Sequence, residues 1–155
     1  AESDFRIMGS KYMKAGMGDG GSCHPRDNIA LRFLAEKLDL GYDMFSTIIE
    51  AREQQAKNMA NYLTNLSEKH DLPIVIIGKG FKPGIDYEDG SPSILVGQFC
   101  ECTYDDLSKP AVFLYAHSES TTFYKPNKEY NIPHGSVTVD PWRERGHATY
   151  WYVYS

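Results

Sequence analysis

The sequence predicts an α/β fold in which an N-terminal helical segment over residues 1–70 is followed by a small parallel sheet with flanking helices over residues 71–155. Three observations carry this. Apolar residues recur at a helical period up to about His70, Pro73 then switches the pattern to the continuous run Ile74-Val75-Ile76-Ile77, and further short apolar runs follow between turns. With 155 residues, 41% hydrophobic and 13% aromatic against 24% charged, the chain can bury a core, which excludes a disordered protein. Sixteen Lys and Arg against 21 Asp and Glu give a net charge of -5, which argues against non-specific nucleic-acid binding, so an anionic ligand needs a local basic pocket. No apolar run approaches a membrane span, and Ala1-Glu2-Ser3-Asp4 has no signal-peptide character, so a cytoplasmic protein that does not enter the membrane is expected. Three cysteines, Cys23 alone and Cys100 with Cys102, make no disulfide framework, and reduced thiols are expected. The first residue is Ala1 rather than Met, which points to a processed chain or a piece of a longer one.

Residues 16–21 place four glycines in six positions, a loop with unusual dihedrals or a close ligand. Pro25 and Asp27 suit the first turn of a helix, one for its fixed φ and the other for its charge. Ile29 with Phe33, and Ala30 with Leu34 and Leu38, keep an i, i+4 rhythm until Asp39-Leu40-Gly41 ends it. From Asp43 a second helix carries Phe45, Ile48, Ile49, Ala56, Met59, Ala60, Leu63 and Leu66 on one stripe, reaching about Lys69. Ile74 to Ile77, closed by Gly78-Lys79-Gly80, reads as a buried parallel strand entering a tight turn. Ser91-Pro92 starts a short helix through Val96, Phe99 to Tyr104 alternates as a second strand, and Ala111 to Tyr115 forms a third. Two more strands are expected at 137–139 and 149–153. Asp105 to Pro110 is too short for a crossover helix, so the sheet is trimmed.

Gly16-Met17-Gly18-Asp19-Gly20-Gly21 satisfies G-x-G-x-x-G, but a dinucleotide fingerprint follows a hydrophobic strand, and Lys11 to Ala15 is not one. Gly78-Lys79-Gly80 does follow a strand, yet Pro83 falls where a third glycine should open the helix, which excludes a standard pyrophosphate turn. Cys23 precedes the expected helix start, where the dipole favours thiolate and a nucleophile; the competing reading is a buried structural cysteine.

The run Gly16-x-Gly18-x-Gly20-Gly21-Ser22-Cys23-x-Pro25-Arg26-Asp27 resembles the catalytic-cysteine segment of the UDP-glucose/GDP-mannose dehydrogenase family, G-x-G-F-G-G-S-C-x-x-K-D. Ile76-Ile77-Gly78-x-Gly80-Phe81-Lys82-Pro83, then Asp86 and Ser91-Pro92, is similar to the start of that family's nucleotide-sugar-binding domain. Val137 to Arg143 resembles its late strand ending in Asp and Arg. The resemblance implies a cysteine-bearing central and dimerisation segment over 1–70 and a trimmed, Rossmann-like UDP-sugar-binding domain over 71–155. It implies oxidation of the C6 alcohol of a nucleotide sugar to a carboxylate through a cysteine thioester, using two NAD. Cys23 would be the nucleophile and Asp27 the carboxylate that places water or a proton, its alternative being ordinary helix-terminal charge.

The resemblance assigns Gly16, Gly18, Gly20 and Gly21 to packing of the backbone against the sugar, and Phe81 and Lys82 to the nucleotide sugar. Arg143 and Arg6 match arginines that reach the same ligand, Arg6 from a neighbouring subunit, and a homodimer through the Phe45-to-Leu66 stripe is expected. Asp19, and Asp89-Gly90 in place of Arg-Glu, depart from the pattern. The family's NAD domain, with its catalytic Lys and Asn, is expected to be missing from this chain, so the chain alone would bind a UDP-sugar without reducing NAD. Competing readings are a non-catalytic nucleotide-sugar-binding module, a zinc site on Cys23, Cys100, Cys102 and a His, and a base-stacking ladder at Tyr150, Trp151, Tyr152 and Tyr154. C-x-C lacks the usual zinc spacing, no metal is expected, and the ladder suits a core-facing strand equally well.

Overall fold

The computed structural model describes residues 15–18, 20–118, 130–146 and 148–150. Helix α1 spans Cys23–Lys37 and α2 spans Met44–His70. Between them the chain reverses at Asp39 and Gly41, both at positive φ (49° and 70°), as expected where a helix must stop. Asp43 starts α2 by accepting hydrogen bonds from the N–H groups of Phe45 (2.9 Å) and Ser46 (3.1 Å), the N-cap that satisfies otherwise orphaned donors. These two bonds and the Ser46 hydroxyl hold the Asp43 carboxyl below its usual pKa, with the hydroxyl contributing most. Asp71, at φ 54°, ends α2 in the left-handed conformation.

Four parallel strands follow: β1 at Ile74–Ile77, β2 at Thr103–Tyr104, β3 at Val112–Tyr115 and β4 at Val137–Val139, with the short helix α3 at Pro92–Gly97. Their order across the sheet is β2-β1-β3-β4, with Ile74 beside Val112 and Val112 beside Val137. Every residue of β1, β3 and β4 is buried, which explains their unbroken apolar character. Ile74, Ile76, Val112 and Leu114 point to one face, under Ala56, Met59, Ala60 and Leu63 of α2. Val75, Ile77, Phe113 and Tyr115 point to the other, under Leu107, Tyr130 and Ile132. The helical segment therefore shares one core with the sheet, and the boundary near residue 70 separates elements rather than cores.

Three expectations change. The strand expected over 99–104 contracts to Thr103–Tyr104, leaving Cys100 and Cys102 in the loop before it. The last expected strand is represented by Tyr150, which makes a parallel bridge to Val139, and 151–155 lie outside the described residues, as do most rungs of the proposed aromatic ladder. The α2 stripe offered for dimerisation is instead core from Ala56 to Leu66, where the five residues Ala56, Met59, Ala60, Leu63 and Leu66 are buried. The residues left outside are on α1, whose one buried residue is Ala35. No helix among the described residues is long and apolar enough to cross a membrane.

Leu63, fully buried between α2 and the sheet, is the position where this packing is most directly tested. Leu63→Ala should lower the unfolding free energy by about 2–5 kcal/mol, read from the denaturant midpoint at unchanged slope.

Candidate functional site

Strand order β2-β1-β3-β4 means that the chain leaves β1 for one edge and returns on the other side as β3. A crevice opens at such a switch point, beyond the carboxyl ends of the strands, and there α/β proteins of this kind hold ligands. At the carboxyl end of β1 stands the turn Gly78-Lys79-Gly80. The Asp105 carboxylate, at the end of β2, accepts hydrogen bonds from Gly78 N (2.8 Å) and Lys79 N (3.4 Å). Those donors are what a pyrophosphate turn would offer a phosphate, and a carboxylate holds them. The carbonyls are held as well: Lys79 O accepts from Ser91 (2.9 Å) and Ser93 (3.0 Å), both buried hydroxyls, and Gly80 O lies 2.8 Å from His117 Nε2. Because a carbonyl only accepts, Nε2 carries the proton. Burial is the main cause that pushes the His117 pKa below the usual imidazole value, so the ring is neutral near neutral pH. Gly78, at φ 101°, is required because a Cβ there would lie 2.6 Å from the His117 ring.

The other wall is organised by Asp140, at the end of β4. Its fully buried carboxylate accepts from the N–H groups of Trp142 (3.0 Å), Glu144 (2.9 Å) and Arg145 (2.8 Å), and pairs with the Arg145 guanidinium at 3.4 Å. Arg145 Nη2 donates to His117 O at 3.1 Å, and its guanidinium lies 4.2 Å from the centre of the Tyr115 ring. Trp142 Nε1 donates to Tyr115 O at 3.1 Å.

The glycine loop docks onto this crevice. Gly21 N donates to Gly90 O at 3.0 Å, and a Cβ on Gly21 would lie 2.6 Å from the Phe81 ring. A Cβ on Gly20 would lie 2.8 Å from Pro92, and one on Gly16 would run into the Trp142 indole. Met17 is buried in the core. At Gly16, Gly20 and Gly21 the close approach in the folded chain is to Trp142, Pro92 and Phe81, and the Gly21 N–H is engaged. Gly18, at φ 85°, is the one of the four glycines that lies exposed.

Cys23 is the first residue of α1, two positions earlier than the expected helix start at Pro25, and its side chain is exposed rather than buried. Arg26 is paired with Asp27, with Nη2 to Oδ1 at 2.8 Å and Nε to Oδ1 at 2.9 Å. The Asp27 carboxylate is thus already matched by a cation, in an exposed pair worth little in stability. Cys100 and Cys102 are half-buried. Burial first, and the neighbouring Cys102 second, push the Cys100 thiol up to about 12. Phe81 is half-buried, and the exposed Lys82 sets its Nζ 4.9 Å from the Phe81 ring centre. Arg143 is exposed at φ 57°, and Arg145 rather than Arg143 makes the pair with Asp140. Arg6 and Asp19 lie outside the described residues.

The structure thus brings Phe81, Lys82 and the glycine loop together, with Cys23 two residues beyond the Gly21 contact. Asp105, His117, Asp140, Arg145 and Trp142 were missed as site residues. The signal for most of them was position, since Asp105, His117 and Asp140 each stand within two residues of a strand's carboxyl end.

The fold and crevice define a Rossmann-type α/β protein with its candidate site at the switch point. A crystal structure of a ternary complex of GDP-mannose dehydrogenase from Pseudomonas aeruginosa has the same fold, with a TM-score of 0.58 at 21% identity over 84% of this chain and 37% of that one. Residues 1–54 match the central-domain model of the UDP-glucose/GDP-mannose dehydrogenase family. It is 35% identical to UDP-glucose 6-dehydrogenase YwqF of Bacillus subtilis over 94 residues, 60% of this chain and 21% of that protein. It is 30% identical to GDP-mannose 6-dehydrogenase of Pseudomonas aeruginosa over 134 residues, 81% of this chain and 28% of that protein. The matched part of the chain spans 21% to 28% of the length of these curated relatives.

Alkylation near neutral pH separates the thiols. Exposed Cys23 should be modified first and Cys100 last, because the Cys100 thiolate is scarce until far higher pH. Peptide mass spectrometry that found Cys100 modified ahead of Cys23 would contradict this placement.

Proposed function

We propose that this chain is the cysteine-bearing and nucleotide-sugar-binding part of a nucleotide-sugar 6-dehydrogenase, acting on a UDP-sugar such as UDP-glucose. The observation that supports the reading is the joint itself: the loop that leads into Cys23 is seated on Phe81, two residues ahead of the sulfur. Lys82 supplies the positive charge an anionic ligand needs in a chain of net charge -5, and Phe81 supplies a flat apolar surface beside it. In this reading the Cys23 sulfur adds to the C6 aldehyde carbon, the aldehyde oxygen takes a proton, and a thiohemiacetal forms. After oxidation to the thioester, water adds at C6, the C–S bond breaks, and the acid leaves as the thiol recovers its proton. Asp27 stands one turn beyond Cys23, where a carboxylate can orient that water.

The oxidant implied by the family is NAD. The described residues do not fit a dinucleotide: the strand-end turn has both its N–H donors on Asp105, and Pro83 stands where a third glycine belongs. This chain's own contribution is therefore the sulfur and the sugar-side contacts. The same observation favours a second reading, a nucleotide-sugar-binding module without chemistry. A reduced thiol and a charged nucleotide substrate both suit a cytoplasmic setting.

Thermal-shift titration with UDP, UDP-glucose, GDP-mannose and NAD tests this directly. A UDP-sugar should raise Tm and NAD should not, and Lys82→Met should weaken the UDP-sugar by about tenfold, the loss of one charge-assisted contact. A panel in which no nucleotide sugar shifts Tm would remove the proposal. Undiminished release of the acid by a full-length enzyme carrying Cys23→Ser would remove the thioester step and leave this chain only its binding role.

A further inference from the structure

The loop from α3 to β2 carries two thiols that the proposed chemistry does not use. Exposure alternates along it: Cys100, Cys102 and Tyr104 are half-buried, whereas Glu101, Thr103 and Asp105 are exposed. Both sulfurs therefore lie on the inward face, packed against the core that α2 and the sheet share. Cys100 Sγ reaches Val96 O, near the end of α3, at 3.7 Å. A Cβ on Gly97, the next residue of the helix, would lie 3.2 Å from Cys102 Sγ and would run into the Tyr104 hydroxyl. The two sulfurs thus sit over adjacent residues of one helix end, and the Cys100 thiol is hydrogen-bonded to Cys102. Two residues of chain span at most about 7 Å, the outer limit for the Cα atoms of a disulfide, and the bend at Cys100 shortens that span.

We propose that Cys100 and Cys102 form a reversible redox site, a dithiol that closes to a disulfide and thereby loosens the turn at Gly78-Lys79. The oxidant is a small-molecule disulfide. The Cys102 thiolate attacks one of its sulfurs, that S–S bond breaks, and one small thiol leaves with the proton that Cys102 lost. The Cys100 sulfur then attacks Cys102 Sγ, gives up its own proton, and displaces the second small thiol as the Cys100–Cys102 bond forms. Two protein thiols are oxidised while one disulfide is reduced to two thiols, so electrons and protons balance. Cys100 reacts second because it keeps its proton, its thiol being pushed up to about 12 by burial first and by Cys102 second. The contribution of Cys102 disappears once that sulfur is bonded to the small thiol, and the more basic thiolate is the better nucleophile. A ring closed over one intervening residue is strained and so easily reduced, which suits a transient role in a reducing compartment.

The consequence reaches the crevice through β2. That strand has two residues, so movement at Cys102 passes to Asp105 just beyond it, the carboxylate that holds Gly78 N and Lys79 N. Closing the bond also draws Cys102 Sγ from the Tyr104 hydroxyl, to which it is hydrogen-bonded, and so removes one of the contacts that fix β2. The device does not depend on which ligand the crevice holds.

Equilibration of the intact chain against mixtures of reduced and oxidised glutathione, quenched in acid and read by peptide mass spectrometry, tests the proposal, with Cys23 scored on its own peptide. The peptide holding Cys100 and Cys102 should lose two hydrogens and resist alkylation in oxidising mixtures, and recover both thiols in reducing ones. Cys100→Ser should stop at a mixed disulfide on Cys102, whereas Cys102→Ser should leave Cys100 largely unmodified. Hydrogen exchange at the Gly78 and Lys79 amides should quicken several-fold on closure and stay unchanged in Cys102→Ser under the same buffers. The titration of the unsubstituted chain stands whether or not either variant folds. Failure to close in the most oxidising mixture, a mixed disulfide that forms first on Cys100, or closure with unchanged exchange at those two amides would overturn the proposal.

Discussion

The buried Asp140 carboxylate is the constraint on which the site depends. A charge with no exposed surface is tolerated only when its oxygens are satisfied, and Asp140 meets this with three backbone N–H groups and the Arg145 guanidinium. Those bonds curl residues 141–145 back over the sheet, which places Arg145 on His117 O and Trp142 on Tyr115 O. His117 in turn stands against Gly78 and Gly80, and the turn so held aims Phe81 and Lys82. Losing one partner of a pair buried this deeply costs about 3–5 kcal/mol, because the other is left charged and unmatched. The loop ends of β4, β3 and β1 are thereby fixed relative to one another without any ligand.

This rigidity has a consequence for the glycine loop. Trp142 and Phe81, held by the crevice, are the surfaces against which Gly16 and Gly21 pack, so the loop before Cys23 is positioned by the sheet half of the chain. The two halves are joined at the place where chemistry is expected. Glycine is required at these positions by the closeness of aromatic side chains. The seating also explains why Cys23 is exposed: the chain is fastened at Gly21 and then released into α1.

Much of the fold was legible because it rests on local pattern. The β-branched run at 74–77, Asp43 as an N-cap, Ser91-Pro92 as a helix start and the missing crossover helix after Asp105 are each written in a few consecutive residues. What was not legible is long-range. Nothing near Asp140 says that Arg145 rather than Arg143 will pair with it, since the choice is made by the curl of the loop and the Tyr115 ring beneath. Nor does the rhythm of Ile29, Phe33, Leu34 and Leu38 say that this stripe faces outward, because an i, i+4 pattern fixes a helix and its apolar side but not which neighbour covers it. Phe81 and Lys82 were found through resemblance, and their contact with the glycine loop was visible only in the folded chain.

The central claim is that Cys23 and the Phe81-Lys82 turn serve one ligand. The measurement that tests it most directly is the rate of Cys23 alkylation with and without saturating UDP-sugar, followed by peptide mass spectrometry. The account predicts that the bound sugar covers the exposed sulfur and slows its modification several-fold, and that Lys82→Met shifts the protecting concentration upward. A Cys23 rate unchanged at a concentration where binding is shown independently would place the sulfur outside the ligand's reach and contradict the account.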